Sequence, residues 1–220
     1  MALTDNLYAF YKFNGDATDA VWSNNLTVNG ATSSWSGLIG SCYDFDWVND
    51  NLNRTGLSKS FTAITASVWF NADAISGGWE SRVFHMENVS NQSVIYLETY
   101  LGKYYAICWV GWAKWLLNPT SPTPWTWAWT HYVITHTGSA MEMYINGSSV
   151  ATGWSAWFSV TADEIIVGWT TSSWWDGRID AVWVWDRAIT AAEVTELYNG
   201  GAWKEYPFLA TNNSNFFMFF

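Results

Sequence analysis

Three kinds of side chain in this 220-residue chain could do chemistry, and their placement narrows what that chemistry is. Hydrolysis of a glycosidic bond needs two carboxylates facing each other about 5–9.5 Å apart. Glu80 and Glu87, in Glu-Ser-Arg-Val-Phe-His-Met-Glu, come closest along the chain, but they lack the period-two spacing that puts two side chains on one face of a strand. Glu142 and Glu164 are isolated. His85, His131 and His136 are scattered, with no helical HExxH pair, and His131 reads as a structural histidine. Cys42 and Cys108 neighbour no histidine motif and are too few for a disulfide framework. They read as two small buried hydrophobes, with a single bridge left open. No catalytic site is expected.

Tryptophan is the residue type that stands out, with nineteen copies. Indole faces bind the C–H faces of sugar rings, and Trp79, Trp112 and Trp174 are the candidate platforms, with Asp and Asn side chains as hydrogen-bonding partners. The partner expected is a glycan or cell-surface polysaccharide. A net charge of −10 with nine Lys and Arg argues against nucleic acid, whose phosphates need a basic surface. No run approaches the ~18 apolar residues of a membrane span, so membrane insertion is not expected. The opening Met-Ala-Leu-Thr-Asp-Asn-Leu-Tyr has neither the basic nor the long apolar region of a signal peptide.

The elements that must position these groups are strands. Half the residues are hydrophobic and 13% are charged, enough for a sizeable core in one domain. Alternating runs occupy Phe61–Phe70, Val94–Tyr100, Ile165–Gly168 and Arg178–Trp185. Met141–Ile145 and Ser148–Ala151 flank Asn146-Gly147, a pair suited to a type I′ hairpin turn because both positions take positive φ. One helix is signalled by Thr190-Ala191-Ala192-Glu193, a capping box, with Val194, Leu197 and Tyr198 on one face and Gly200 placed to end it. Strands without intervening helices build a sandwich or barrel. Residues 1–208 are expected to form the domain and residues 209–220, ending in Phe-Phe-Met-Phe-Phe, a tail.

Several blocks then resemble a known family in its order. They are Tyr11-Lys12-Phe13-Asn14-Gly15-Asp16, Phe45-Asp46, Trp129-Thr130-His131-Tyr132-Val133, and Trp175-Asp176-Gly177-Arg178-Ile179-Asp180-Ala181-Val182 followed by Trp185-Asp186-Arg187-Ala188-Ile189-Thr190. Together they resemble laminin G-like domains of the concanavalin A-like lectin/glucanase superfamily, found in bacterial and phage surface proteins. The resemblance implies an all-β, two-sheet antiparallel jelly-roll sandwich with one short C-terminal helix. It also implies a structural calcium ion between an N-terminal loop and a late strand, which would fall to Asp16, Asp19 and Asp180. The alternative for these aspartates is turn capping and hydrogen bonding to the backbone. The function implied is a non-catalytic carbohydrate-binding or adhesion module at an extracellular or virion surface. The alternative is a structural virion or assembly protein that meets other virion proteins or itself; a glycoside hydrolase stands third.

One feature departs from the family pattern. Trp22, Trp47, Trp183 and Trp203 stand where glycine is expected, and Trp79, Trp109, Trp112, Trp115, Trp125, Trp127, Trp154 and Trp157 lie in segments that read as glycine turns. Either the indoles are binding platforms, or the gene uses UGA for glycine and these positions carry tryptophan through translation by another code. Trp69, Trp129 and Trp185 match aromatic positions of the family and read as core.

Overall fold

A computed structural model describes residues 1–75, 78–88, 93–110, 113–155, 157–168 and 175–207. Fifteen strands form two antiparallel sheets: β1 (Leu7–Tyr11), β2 (Thr27–Asn29), β3 (Thr32–Ser34), β4 (Cys42–Asp46), β5 (Asn51–Phe61), β6 (Ile64–Ala72), β7 (Ser81–Glu87), β8 (Ser93–Tyr100), β9 (Lys103–Val110), β10 (Ala113–Leu117), β11 (Thr130–His136), β12 (Ala140–Ile145), β13 (Ser148–Trp154), β14 (Val160–Gly168) and β15 (Asp176–Trp185). The first sheet runs β13-β12-β11-β6-β15-β4-β3, and β1 pairs with the second half of β15. The second runs β10-β9-β8-β7-β14-β5-β2. Among the described residues one α-helix, α1 (Ala191–Tyr198), follows β15 and runs into a 3-10 turn at Asn199–Gly201. The two-sheet sandwich with a short C-terminal helix is the architecture expected.

Local chemistry accounts for the punctuation. Asn146 and Gly147 have φ of 50° and 76°, the double positive φ of a type I′ turn, and join β12 to β13. The Thr190 hydroxyl accepts from the Glu193 amide while the Glu193 carboxylate accepts from the Thr190 amide, so the capping box forms. The helix ends at Asn199 in the left-handed conformation, one residue before the glycine expected to stop it. The stretch 61–70, read as one strand, is two. β5 ends at Phe61 and β6 starts at Ile64 after a bend, and the two strands lie in different sheets.

The core lies between the sheets, where Ala66, Val68, Phe70, Tyr132 and Ile134 meet Phe84, Met86, Leu97, Ala106 and Ile165. A second apolar cluster covers the other face of the first sheet. There α1 places Val194 and Leu197 against Trp69, Val133, Trp183 and Trp185, with Leu3, Phe10 and Trp203 completing the layer. The central strand β6 is therefore buried along its whole length. Cys42 and Cys108 are free and buried on strands of different sheets, and burial pushes both thiols up to about 12, which leaves them inert.

Candidate functional site

With both faces of the first sheet covered, the outer face of the second is the one on which no apolar cluster packs among the described residues. Register decides which side chains point there. Leu97, Phe84 and Ile165 face the core, so their neighbours Glu98, Tyr96, His85, Ile166 and Asn53 face outward. Tyr105, Ile107 and Trp109 of β9 and Lys114 of β10 extend the row on one side. Glu164, Thr55, Asn51, Thr27 and Asn29 extend it on the other.

Two polar groups occupy this face. On the β2–β5 side, the Asn29 side-chain amide donates to Asn51 Oδ1 at 2.9 Å and Asn53 Oδ1 at 3.1 Å, and Asn53 Nδ2 donates to Glu164 Oε1 at 2.8 Å. At the centre, Arg82 gathers three carboxylates: Glu80 at 3.0 Å, Glu98 at 3.5 Å and Glu87 at 4.0 Å. Its guanidinium lies 4.4 Å from the Tyr96 ring centroid, and Trp109 Nε1 donates to the Tyr96 hydroxyl at 3.1 Å. His85 Nε2 stands 3.4 Å from Glu87 Oε1.

Burial sets the electrostatics of this centre. The Glu98 side chain is 2% exposed, and desolvation lifts its carboxyl to about 7, aided by the Glu80 charge and opposed by Arg82. His85 is held below its ordinary range by burial and is neutral at pH 7. The close approach of His85 in turn lowers the Glu87 carboxyl. The result is a mixed aromatic, amide and carboxylate surface carrying a single guanidinium. Its accessible part, exposed Asn29 with half-buried Asn51 and Asn53, can exchange hydrogen bonds with a polyhydroxylated ligand through both donors and acceptors.

A β-bulge explains why the sequence conceals this group. Arg82 pairs with Glu98 and Phe84 with Leu97, so Val83 is the inserted residue and Arg82 and His85 share a face despite their odd separation. The interrupted parity likewise lets Glu80 and Glu87 approach one guanidinium, although their spacing on a regular strand would separate them.

Of the three tryptophans expected as platforms, Trp79 is 64% exposed, beside Glu80 and just before β7. Trp112 and Trp174 lie outside the described residues. Asp16, Asp19 and Asp180 carry their hydrogen bonds to amides and a hydroxyl. Asp16 Oδ1 accepts from the Thr18 amide and hydroxyl. Asp19 accepts from the amides of Phe10, Val21 and Asn24. Asp180 accepts from Leu38, Ile39 and Ala181. Among the described residues no three His, Cys, Asp or Glu side chains form a group that could hold a metal ion. Calcium takes six to eight oxygens, backbone carbonyls and waters among them, while the hydrogen bonds of these three carboxylates to amides accord with the other reading, turn capping and backbone bonding. EDTA is therefore expected to leave the melting temperature unchanged within about 1 °C in differential scanning fluorimetry. A rise of several degrees on adding calcium would contradict that reading.

His131 is fully buried, with Nε2 2.8 Å from the Ser67 hydroxyl and its ring stacked on Trp69 at 4.8 Å, a structural placement. Desolvation holds it at about 3, so it stays neutral at physiological pH.

A two-sheet jelly roll with a polar row on the outer side of its second sheet defines the class: a lectin-like sandwich. The chain belongs to the concanavalin A-like lectin/glucanases superfamily, whose family model matches residues 48–195. Among solved structures it is similar to the binding domain of Paraclostridial Mosquitocidal Protein 1, with a TM-score of 0.74 and 17% identity over 91% of this chain and 53% of that one. It is also similar to the binding domain of botulinum neurotoxin serotype G, with a TM-score of 0.70 and 13% identity over 88% and 50%. A third is domain 4 of AbnA, a GH43 extracellular arabinanase from Geobacillus stearothermophilus, solved in complex with arabinotriose, with a TM-score of 0.63 and 20% identity over 87% and 97%. The chain spans about half the length of the two toxin binding domains. At these identities the likeness is one of fold. No curated protein sequence matches the chain.

Proposed function

We propose that this protein is a non-catalytic carbohydrate-binding or adhesion module that takes a glycan on the outer face of its second sheet. The observation that carries the reading is the continuous polar row from Asn29, Asn51 and Asn53 through Glu164 to the Arg82 cluster and Tyr96, on a face without an apolar layer among the described residues. Amide side chains supply donor and acceptor together, which suits sugar hydroxyls, while the half-buried Trp109 supplies ring surface. A fold neighbour solved with arabinotriose supports the ligand class. An extracellular or virion surface is the location proposed with it, in keeping with the extracellular arabinanase and the toxin binding domains of the same fold.

Hydrolysis is not part of the proposal. Glu80, Glu87 and Glu98 converge on one guanidinium rather than facing each other across a groove with room for a sugar and a water. Glycan-array screening tests the proposal. At least one neutral oligosaccharide is expected to bind, and the paired Asn51→Ala, Asn53→Ala variant is expected to lose it.

A further inference from the structure

We propose that positions 47 and 127 are glycine in the protein as its own cell makes it, specified by UGA codons that this cell reads as glycine. Trp47, Trp127 and Trp203 have φ of 69°, 63° and 45°, inside the left-handed region. For an L-residue with a bulky side chain that conformation costs roughly 1–2 kcal/mol. Of the other residues in this region, Asn6, Asn146 and Asn199 have short side chains that bond locally, Ser58 and Ala181 are small, Phe13 and Trp203 are buried in the core, and Leu101 shares the strain; the indoles of Trp47 and Trp127 have neither compensation. The glycines Gly56, Gly102 and Gly200, at 73°, 68° and 65°, show the conformation these backbones share.

The surrounding chain fixes the backbone at each position. The Trp47 amide donates to the Trp175 carbonyl at 3.2 Å, and the Trp127 amide donates to the Ala72 carbonyl at 2.8 Å. The Trp203 carbonyl accepts from Asn199 Nδ2 at 2.8 Å. The turns are thus set by sheet edges and by the end of α1, not chosen by the indoles. Burial offers nothing in return at Trp127, which is 68% exposed.

A binding role does not explain the exposed indoles as a group. Trp154 ends β13 and Trp35 follows β3, and these strands are the opposite edges of the first sheet; they are 82% and 90% exposed. Ligand platforms would be gathered on one surface. Tryptophans with partners look different. Trp185 donates to the Leu3 carbonyl at 2.7 Å inside the core, and Trp109 sits in a strand against Tyr96. One base separates GGA from UGA, so a code that reads UGA as glycine scatters such codons over glycine positions. That origin explains why the left-handed tryptophans fall in turns.

Peptide mass spectrometry of the protein purified from the cell or virion that encodes it is the direct test. Glycine masses at 47 and 127 are expected, and tryptophan masses there overturn the inference. A second arm uses the recombinant chain with the present sequence. Replacing Trp47 and Trp127 together with glycine is expected to raise Tm by about 4–15 °C, whereas Trp109→Gly, in a strand, lowers it. An unchanged or lower Tm in the double variant counts against the inference.

Discussion

Asp180→Ala is expected to lower the unfolding free energy by about 3 kcal/mol or more. The carboxyl is fully buried on β15, next to the bulge that joins β15 to β6. It accepts the amides of Leu38 at 2.8 Å, Ile39 at 3.4 Å and Ala181 at 2.8 Å. Removing it leaves three amides without an acceptor and frees the segment between β3 and β4 from the strand. Asp180→Asn keeps one acceptor oxygen but turns a donor toward amides, so it should recover only part of the loss. Chemical denaturation of the three proteins at pH 6 measures the order. An alanine variant within about 1 kcal/mol of the parent would show that the aspartate does not hold this loop.

Glu98→Gln is expected to act in the opposite direction, and only above acid pH. Burial raises the folded carboxyl from the ordinary 4.5 to about 7, so between those values the folded state retains a proton that the unfolded state has released. Stability is therefore fully present below about pH 4.5 and falls as pH rises toward 7. Glutamine copies the neutral carboxyl and removes that decline. The variant should match the parent near pH 4 and exceed it by about 2–3 kcal/mol at pH 8, with Arg82 still paired to Glu80 and Glu87. Unfolding curves across pH 4–8 give the difference directly. A constant offset at all pH values would mean that Glu98 contributes through shape and not through charge. The buried histidines titrate oppositely. His131 and His136, held at about 3 and 4, withdraw stability as pH falls below the ordinary histidine value. The parent should therefore be most stable in the weakly acidic range.

What could be read from the residues follows from how local each signal is. The Asn146-Gly147 turn, the Thr190–Glu193 capping box and the block around Trp175–Val182 are complete within a few residues, and all three take the structures expected of them. β5 was not legible. Asn51–Phe61 is rich in Asn, Ser, Lys and Gly, types with little strand preference, and it becomes a strand because β14 pairs along it. The proposed ligand face was not legible for a different reason. Asn29, Asn53, Arg82, Glu98 and Glu164 come from five strands, and sheet order, not sequence order, sets them side by side. The bulge at Val83 hides the central cluster from any count of alternate positions. The one available hint was the strict alternation Asn51-Leu52-Asn53, whose amides share a face opposite a core leucine. Tryptophan abundance pointed elsewhere, to loops, because composition carries no information about backbone conformation.

Ligand binding is proposed to reside on the outer face of the second sheet. Isothermal titration with a neutral oligosaccharide identified on the array, using the parent, Asn53→Ala and Glu142→Ala, tests it most directly. Asn53 lies within the polar row, while Glu142 lies on β12 of the other sheet, bonded to the Ser149 hydroxyl. The account predicts that Asn53→Ala weakens binding at least about tenfold, a loss of roughly 1.4 kcal/mol, and that Glu142→Ala leaves the affinity unchanged. Equal affinity in the parent and Asn53→Ala, or no binding by the parent to any glycan, would contradict it.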